Sequence, residues 1–248
     1  MRSAGGLCAA ILIVLTSSCI GQAQEPAATA LHIEEHPLLE APTLDPMGFK
    51  PVQGSMESVL AVHAARRAQT LPLESVLVDG QFALRAALDQ DVLLATENYS
   101  SDGSIGWVTL ERNGKEIYRI ETGMASPVTA LRGLWTYDGH WELETAYVSR
   151  DAVAGRLTRD GVVLNDALGY SDVFNFQLLG GRPFYFFVRR GKVGYSFDGR
   201  EAMLAFDEIP HYGCCSAAEL NPLQALDMVA FFARKGSTWY YIEIGSGN

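Results

Sequence analysis

The sequence predicts an all-β fold, a set of antiparallel four-stranded meander repeats behind one short N-terminal helix, and three observations carry that prediction. Part of the stretch Arg182–Gly199 is written twice: Phe186-Phe187-Val188-Arg189-Arg190-Gly191 and then Tyr195 returns 45 residues later as Phe231-Phe232-Ala233-Arg234-Lys235-Gly236 and then Tyr240. From about Leu73 onward the apolar residues alternate with polar ones at period two, which puts one side of an extended chain against a core. Turn signals recur at a near-constant spacing, with Asp89-Gln90, Asp138-Gly139, Gly180-Gly181 and the Leu226-Asp227 region lying 49, 42 and 46 residues apart.

The N-terminal end reads as an address. Arg2 supplies a positive charge, Leu7–Leu15 an apolar run and residues 16–24 a small, polar tail, so residues 1–23 read as an export signal. That run is too short to span a bilayer, which takes about 20 apolar residues. Two processing routes stand side by side: cleavage after Gly21 and Ala23, or lipidation of Cys19 within Thr16-Ser17-Ser18-Cys19, which resembles a bacterial lipoprotein box although Leu15 stands four residues before the cysteine rather than three. Either route places the folded part outside the cytoplasm, secreted or lipid-anchored at the cell surface. With 19 basic against 29 acidic residues and a net charge of −10, the chain is a poor match for nucleic acid or for an anionic membrane face, both of which call for clustered Lys and Arg.

Residues 24–54 hold Pro26, Pro37, Pro42, Pro46 and Pro51 and show no sustained period, so they read as a Pro-rich tether. Within it His32-Ile33-Glu34-Glu35-His36 matches the H-x-x-E-H string of zinc peptidases. Zinc chemistry there needs both histidines on one face of a helix, and Pro37 and Pro42 argue against that helix. Residues 55–70 are the one predicted helix, with Ser55 as cap, Met56, Val59, Leu60 and Val62 as apolar contacts, and Arg66 and Arg67 at the negative end of its dipole.

Residues 73–245 divide into four related blocks. The first is SVLVDGQFALRAAL, DVLLATENY, IGWVTLERNG and KEIYRIETG, with Asp102-Gly103 and Asn113-Gly114 as hairpin dipeptides. The second is VTALRGLWTYDG, HWELETAYV, GRLTRDG and VVLNDALG, and the third is DVFNFQLLGG, RPFYFFVRRG, KVGYSFDG and REAMLAFDE. The fourth runs from IPHYGCC through a loop to DMVAFFARKG and STWYYIEIG, and lacks a last strand; a closed ring would take it from elsewhere, for instance from the segment after the helix. A repeat of this length is that of one four-stranded blade, which makes the array propeller-like; an incomplete propeller and a β-sandwich are the alternatives.

Gly191-Lys192-Val193-Gly194-Tyr195-Ser196-Phe197-Asp198-Gly199-Arg200-Glu201 resembles the G-K-x-G-Y-x-x-x-G-K-E phrase of bacterial WG-type β-repeats, departing from it at Val193, where those repeats carry Trp. The array as a whole is similar to propeller repeats of exported bacterial proteins. The resemblance implies architecture and binding and carries no reaction.

Chemistry-bearing residues gather at Asp207-Glu208-Ile209-Pro210-His211-Tyr212-Gly213-Cys214-Cys215. Adjacent Cα atoms lie about 3.8 Å apart, closer than an unstrained disulfide prefers, so a vicinal Cys214–Cys215 bridge would distort the backbone. Three readings compete: two buried thiols or a structural bridge, a bridge acting as ligand lid or redox element, and a soft-metal site of His211, Cys214 and Cys215 that lacks a fourth ligand. His211, Tyr212, Cys214 and Cys215 are therefore the candidate binding residues. Trp107, Trp135, Trp141 and Trp239 with Tyr137, Tyr185 and Tyr240 offer either a glycan-stacking surface or filling between sheets. Glu142 and Glu144 share a strand face about 7 Å apart, as a glycosidase pair could, but read as a surface pair. The expectation is a tethered extracytoplasmic β-repeat binding or scaffold protein without catalysis or cofactor, its partner a glycan or protein. The alternative is a redox protein, soft-metal protein or enzyme centred on His211, Cys214 and Cys215.

Overall fold

The computed structural model describes residues 31–39, 41–42, 44–45, 48–49, 74–126, 129–213, 218, 221–224 and 227–246. The export signal with Cys19, the helix over 55–70 and the Cys214-Cys215 pair lie outside the described residues. What is described is mostly antiparallel β-sheet.

In chain order, β1 is Leu31–Pro37, and β2 (Leu44–Asp45) and β3 (Gly48–Phe49) form a minimal pair. Then β4 (Glu74–Val78), β5 (Gln81–Leu88), β6 (Asp91–Tyr99), β7 (Gly106–Arg112) and β8 (Lys115–Gly123) run as a meander. A second meander follows with β9 (Leu131–Tyr137), β10 (His140–Val148), β11 (Val153–Arg159) and β12 (Val162–Val163). Among the described residues the two meanders join as one sheet through the parallel pair Val148 and Gly123. The third sheet is β13 (Asp172–Leu179), β14 (Arg182–Arg189), β15 (Lys192–Phe197) and β16 (Arg200–Met203). The last has β17 (Leu223–Gln224), β18 (Met228–Lys235) and β19 (Thr238–Ser246).

Turn chemistry sets these hairpins. Asn113-Gly114, Asp138-Gly139, Asp160-Gly161 and Asp198-Gly199 each link two strands with positive φ at both residues, the geometry whose twist matches that of the flanking strands. Asp102-Gly103 departs from expectation. It sits inside a six-residue loop between Tyr99 and Gly106, because the Asp102 carboxylate accepts hydrogen bonds from the Ser100 and Ser104 hydroxyls and the Ser104 amide, folding the chain locally instead of closing a ladder.

Two further corrections concern the ends of blocks. The strand that completes the fourth sheet comes from before the expected helix: β1 pairs antiparallel with β19 from Leu31 opposite Ser246 to Pro37 opposite Tyr240. Leu31 and Ile33 pack against the core while His32, Glu34 and His36 take the other face, so part of the expected tether is a strand and H-x-x-E-H presents no helical zinc face. The final strand expected in VVLNDALG is only Val162–Val163; it passes into α1 (Leu164–Leu168), which ends on Gly169 in the left-handed conformation. Asn165 explains the switch, since its amide donates to the Gly155 carbonyl and accepts from the Leu157 amide, capping β11 where a fourth strand would have paired.

Consecutive sheets bury their faces on one another. Leu84, Leu93, Val108 and Leu110 meet Leu134, Trp141 and Leu143 between the first and second meanders. Leu157, Val173, Phe176, Tyr185 and Phe187 fill the space between second and third, and Phe174, Phe186, Phe231, Ile242 and Ile244 that between third and fourth. The repeated phrases meet here, with the Phe186 and Phe231 rings edge-on at 4.8 Å. Among the described residues no helix is long and apolar enough to cross a membrane.

Candidate functional site

Two β-bulges face each other across the junction of the second and third sheets. On β9 the register slips so that Gly133 lies opposite Glu144 and Leu131 opposite Thr145, leaving Arg132 as the extra residue. On β13, Asn175 and Phe176 together stand between the pairs Phe174–Phe186 and Gln177–Phe184, and Asn175 takes a φ of +58°. A bulge aims side chains out of the ladder and frees backbone amides, which is why bulges collect beside functional sites.

Glu144 joins the two bulges. Its carboxylate accepts hydrogen bonds from the Asn175 amide at 2.9 Å and the Phe176 amide at 2.7 Å, and a further one from the Tyr212 hydroxyl. Burial pushes the carboxyl above the usual range, against the pull of the Tyr212 hydroxyl, those amides and Arg132. Tyr212 sits at a φ of +53°, uncommon for a bulky side chain, and the Arg132 guanidinium lies 4.7 Å above its ring. Burial, and then Glu144, raises the Tyr212 hydroxyl well above its ordinary value, so it stays a donor.

Glu142, two residues back on β10, is also fully buried. Tyr137 donates to its Oε1 at 2.9 Å and Arg159 donates to the same oxygen, while burial pushes the carboxyl up to about 6. The surface-pair reading of Glu142 and Glu144 is thereby corrected: both faces of β10 are covered, one by the first meander and one by the third sheet, so alternating glutamates lie inside.

A cavity of about 200 Å³ opens beside this arrangement, lined by Arg132, Trp135, Glu144, Asn175, Tyr212, Asn221, Pro222 and Gln224. Gly133 makes room for Trp135, since a Cβ there would fall 1.8 Å from the indole. The indole also leans on Phe176 at 5.0 Å. Gln224 donates through Nε2 to the Phe176 carbonyl at 3.1 Å and to Asn175 Oδ1 at 2.7 Å, which fixes the Asn175 amide with Nδ2 as a donor. That Nδ2 is buried and has no hydrogen-bond partner.

Of the four binding residues read from sequence, two are placed. Tyr212 is part of the cavity wall; His211 turns away from it, its ring stacked on Phe174 at 3.5 Å. His211 donates through Nδ1 to the Ile209 carbonyl at 2.7 Å and sets Nε2 3.1 Å from Asp172, leaving neither nitrogen open to a metal in this arrangement. Asp172 in turn accepts from the Gly155 amide at 2.7 Å. His211 and Asp172 belong to the wall of a second hollow of about 390 Å³, formed by the third sheet, Val153 of β11 and the segment 207–211. A third hollow, about 490 Å³ on the first meander, is walled chiefly by Val76, Val78, Val92 and Leu94. No grouping of three or more His, Cys, Asp or Glu side chains suited to a metal ion occurs among the described residues.

Sequence reasoning missed Arg132, Asn175 and Gln224. The signal for Asn175 was present as an Asn in the middle of the aromatic run Phe174-Asn175-Phe176, where a polar residue of left-handed tolerance marks a bulge. Compared with protein-family models and with curated proteins, the chain matches none.

Proposed function

We propose that the chain is an extracytoplasmic β-repeat binding or scaffold protein, membrane- or wall-tethered through its N-terminal region, its sheets arranged like successive propeller blades. The observation that carries the binding reading is the cleft at the facing bulges, where Arg132, Trp135, Asn175 and Gln224 surround a space with a buried donor left unpaired. The propeller-like arrangement draws support from the chain-order stacking of a five-stranded meander and three four-stranded units and from β1 completing the last of them. Glu144 favours binding over hydrolysis as well, because its oxygens accept three hydrogen bonds that hold two sheets and a loop together.

The test is a binding screen of the purified chain against polysaccharides and peptides. Saturable binding without turnover supports the reading. Hydrolysis by the wild type that disappears in Glu144→Gln overturns it. The anchor is tested separately by palmitate labelling in a bacterial host, expected to vanish in Cys19→Ala.

A further inference from the structure

Three features decide what chemistry suits the cleft between the bulges. The first is an unmet donor: the Asn175 side chain is buried, its Oδ1 is taken by Gln224, and Nδ2 has no partner. A buried donor left unpaired carries its desolvation penalty uncompensated, which an acceptor on a ligand would recover. The second is a mixed lining. Arg132 brings further donors, Glu144 brings acceptor lone pairs, and the half-buried Trp135 brings an aromatic surface. The third is size: about 200 Å³ is the space of six or seven waters at ~30 Å³ each, enough for one six-membered ring with its substituents.

We propose that this cleft takes one neutral sugar ring, its hydroxyls accepting from the Asn175 amide and the Arg132 guanidinium and donating toward Glu144, with a C–H face against Trp135. The inference rests on the binding-protein reading and names the ligand class of that same site. Neutrality follows from the charges. The Glu144 carboxylate lines the same wall, Arg132 is its only basic neighbour on that wall, and the whole chain carries a net charge of −10, so an acidic ligand meets repulsion where a hydroxyl meets a partner. Hydroxyl groups also suit a wall that offers both donors and acceptors, since each can serve in either role.

The experiment is titration calorimetry of the full chain with glucose, N-acetylglucosamine and glucuronate, on wild type and on two variants. Asn175→Gly removes the amide while keeping the left-handed backbone that β13 needs, and Trp135→Leu removes the ring; near-UV circular dichroism confirms that each is folded. Saturable binding of glucose or N-acetylglucosamine, weakened tenfold or more in Asn175→Gly and again in Trp135→Leu, supports the proposal. Binding that is equal in wild type and Asn175→Gly overturns the cleft assignment and leaves the binding-protein reading standing. Preference for glucuronate overturns the neutral class. If folded wild type binds none of the three, the sugar proposal falls, and the wider reading is decided by the polysaccharide and peptide screen alone.

Discussion

The two junctions of the third sheet are built on different principles. Toward the fourth sheet it presents Phe174, Phe184 and Phe186 to Phe231, Ile242 and Ile244, a mainly hydrocarbon contact with hydrogen bonds from Gln177 to the Met228 carbonyl and from Gln224 to Asn175 and the Phe176 carbonyl. Toward the second it meets the glutamates of β10, and its bulge is held by hydrogen bonds to a buried carboxylate. The apolar junction is adaptable, because dispersion and water release reward any shape that fills the space. The polar junction is directional, since each buried donor must find its acceptor. The cleft with the unpaired donor opens at the polar junction.

Replacing Glu144 with Leu breaks this contrast most directly. If the junction were held by packing alone, the substitution would be tolerated. We expect a loss of about 5 kcal/mol in urea unfolding, because two bulge amides and the Tyr212 hydroxyl lose their acceptor together at ~1–3 kcal/mol each. Phe231→Ala probes the other junction, with an expected loss of about 4 kcal/mol from the cavity left beside Phe186 and with ligand binding at the cleft retained. Gly155→Ala tests how tightly β11 and β13 approach. A Cβ there would lie 2.0 Å from the Val173 carbonyl oxygen, and the forced separation should cost about 1–3 kcal/mol.

The pH dependence sharpens the contrast further. Glu142 titrates near 6 in the folded chain against an ordinary value of 4.5, so its stabilising contribution is full below 4.5 and fades as pH rises through 6. Over that interval the wild type should lose about 1–2 kcal/mol more than Glu142→Gln, read as the difference between their unfolding curves, whereas Phe231→Ala should track the wild type in slope. Arg132→Ala is the mildest change: the guanidinium over Tyr212 is exposed, and its loss should cost about 0.5–1 kcal/mol while weakening sugar binding.

The apolar junction could be read from the sequence, and the polar one could not. Phe186-Phe187 and Phe231-Phe232 announce themselves by repetition, and the Asp-Gly and Asn-Gly dipeptides announce the hairpins, because both signals are local. Even so, the repeat keeps strand and burial without keeping register: Tyr195 pairs with Phe186, whereas Tyr240 pairs with Ala233, the second hairpin turning one residue later. The alternation Trp141-Glu142-Leu143-Glu144 looks like a strand with a wet face. It becomes a doubly buried strand only once a third sheet, encoded thirty residues downstream, covers that face. β1 was hidden for a related reason, since Leu31 and Ile33 are two apolar residues among prolines and glutamates, and their partner lies at the opposite end of the chain. Arg132 and Asn175 acquire their roles from register slips, which no window of composition reveals.

β1 begins at Leu31 directly beside Ser246, the residue on which β19 ends. The final sheet is therefore finished only when β1 and β19, strands far apart in the sequence, find each other, a long-range closure that should slow folding. The same adjacency predicts tolerance of a permuted chain in which a short peptide joins the end of β19 to the start of β1 and new termini open in an exposed hairpin such as Asn113-Gly114.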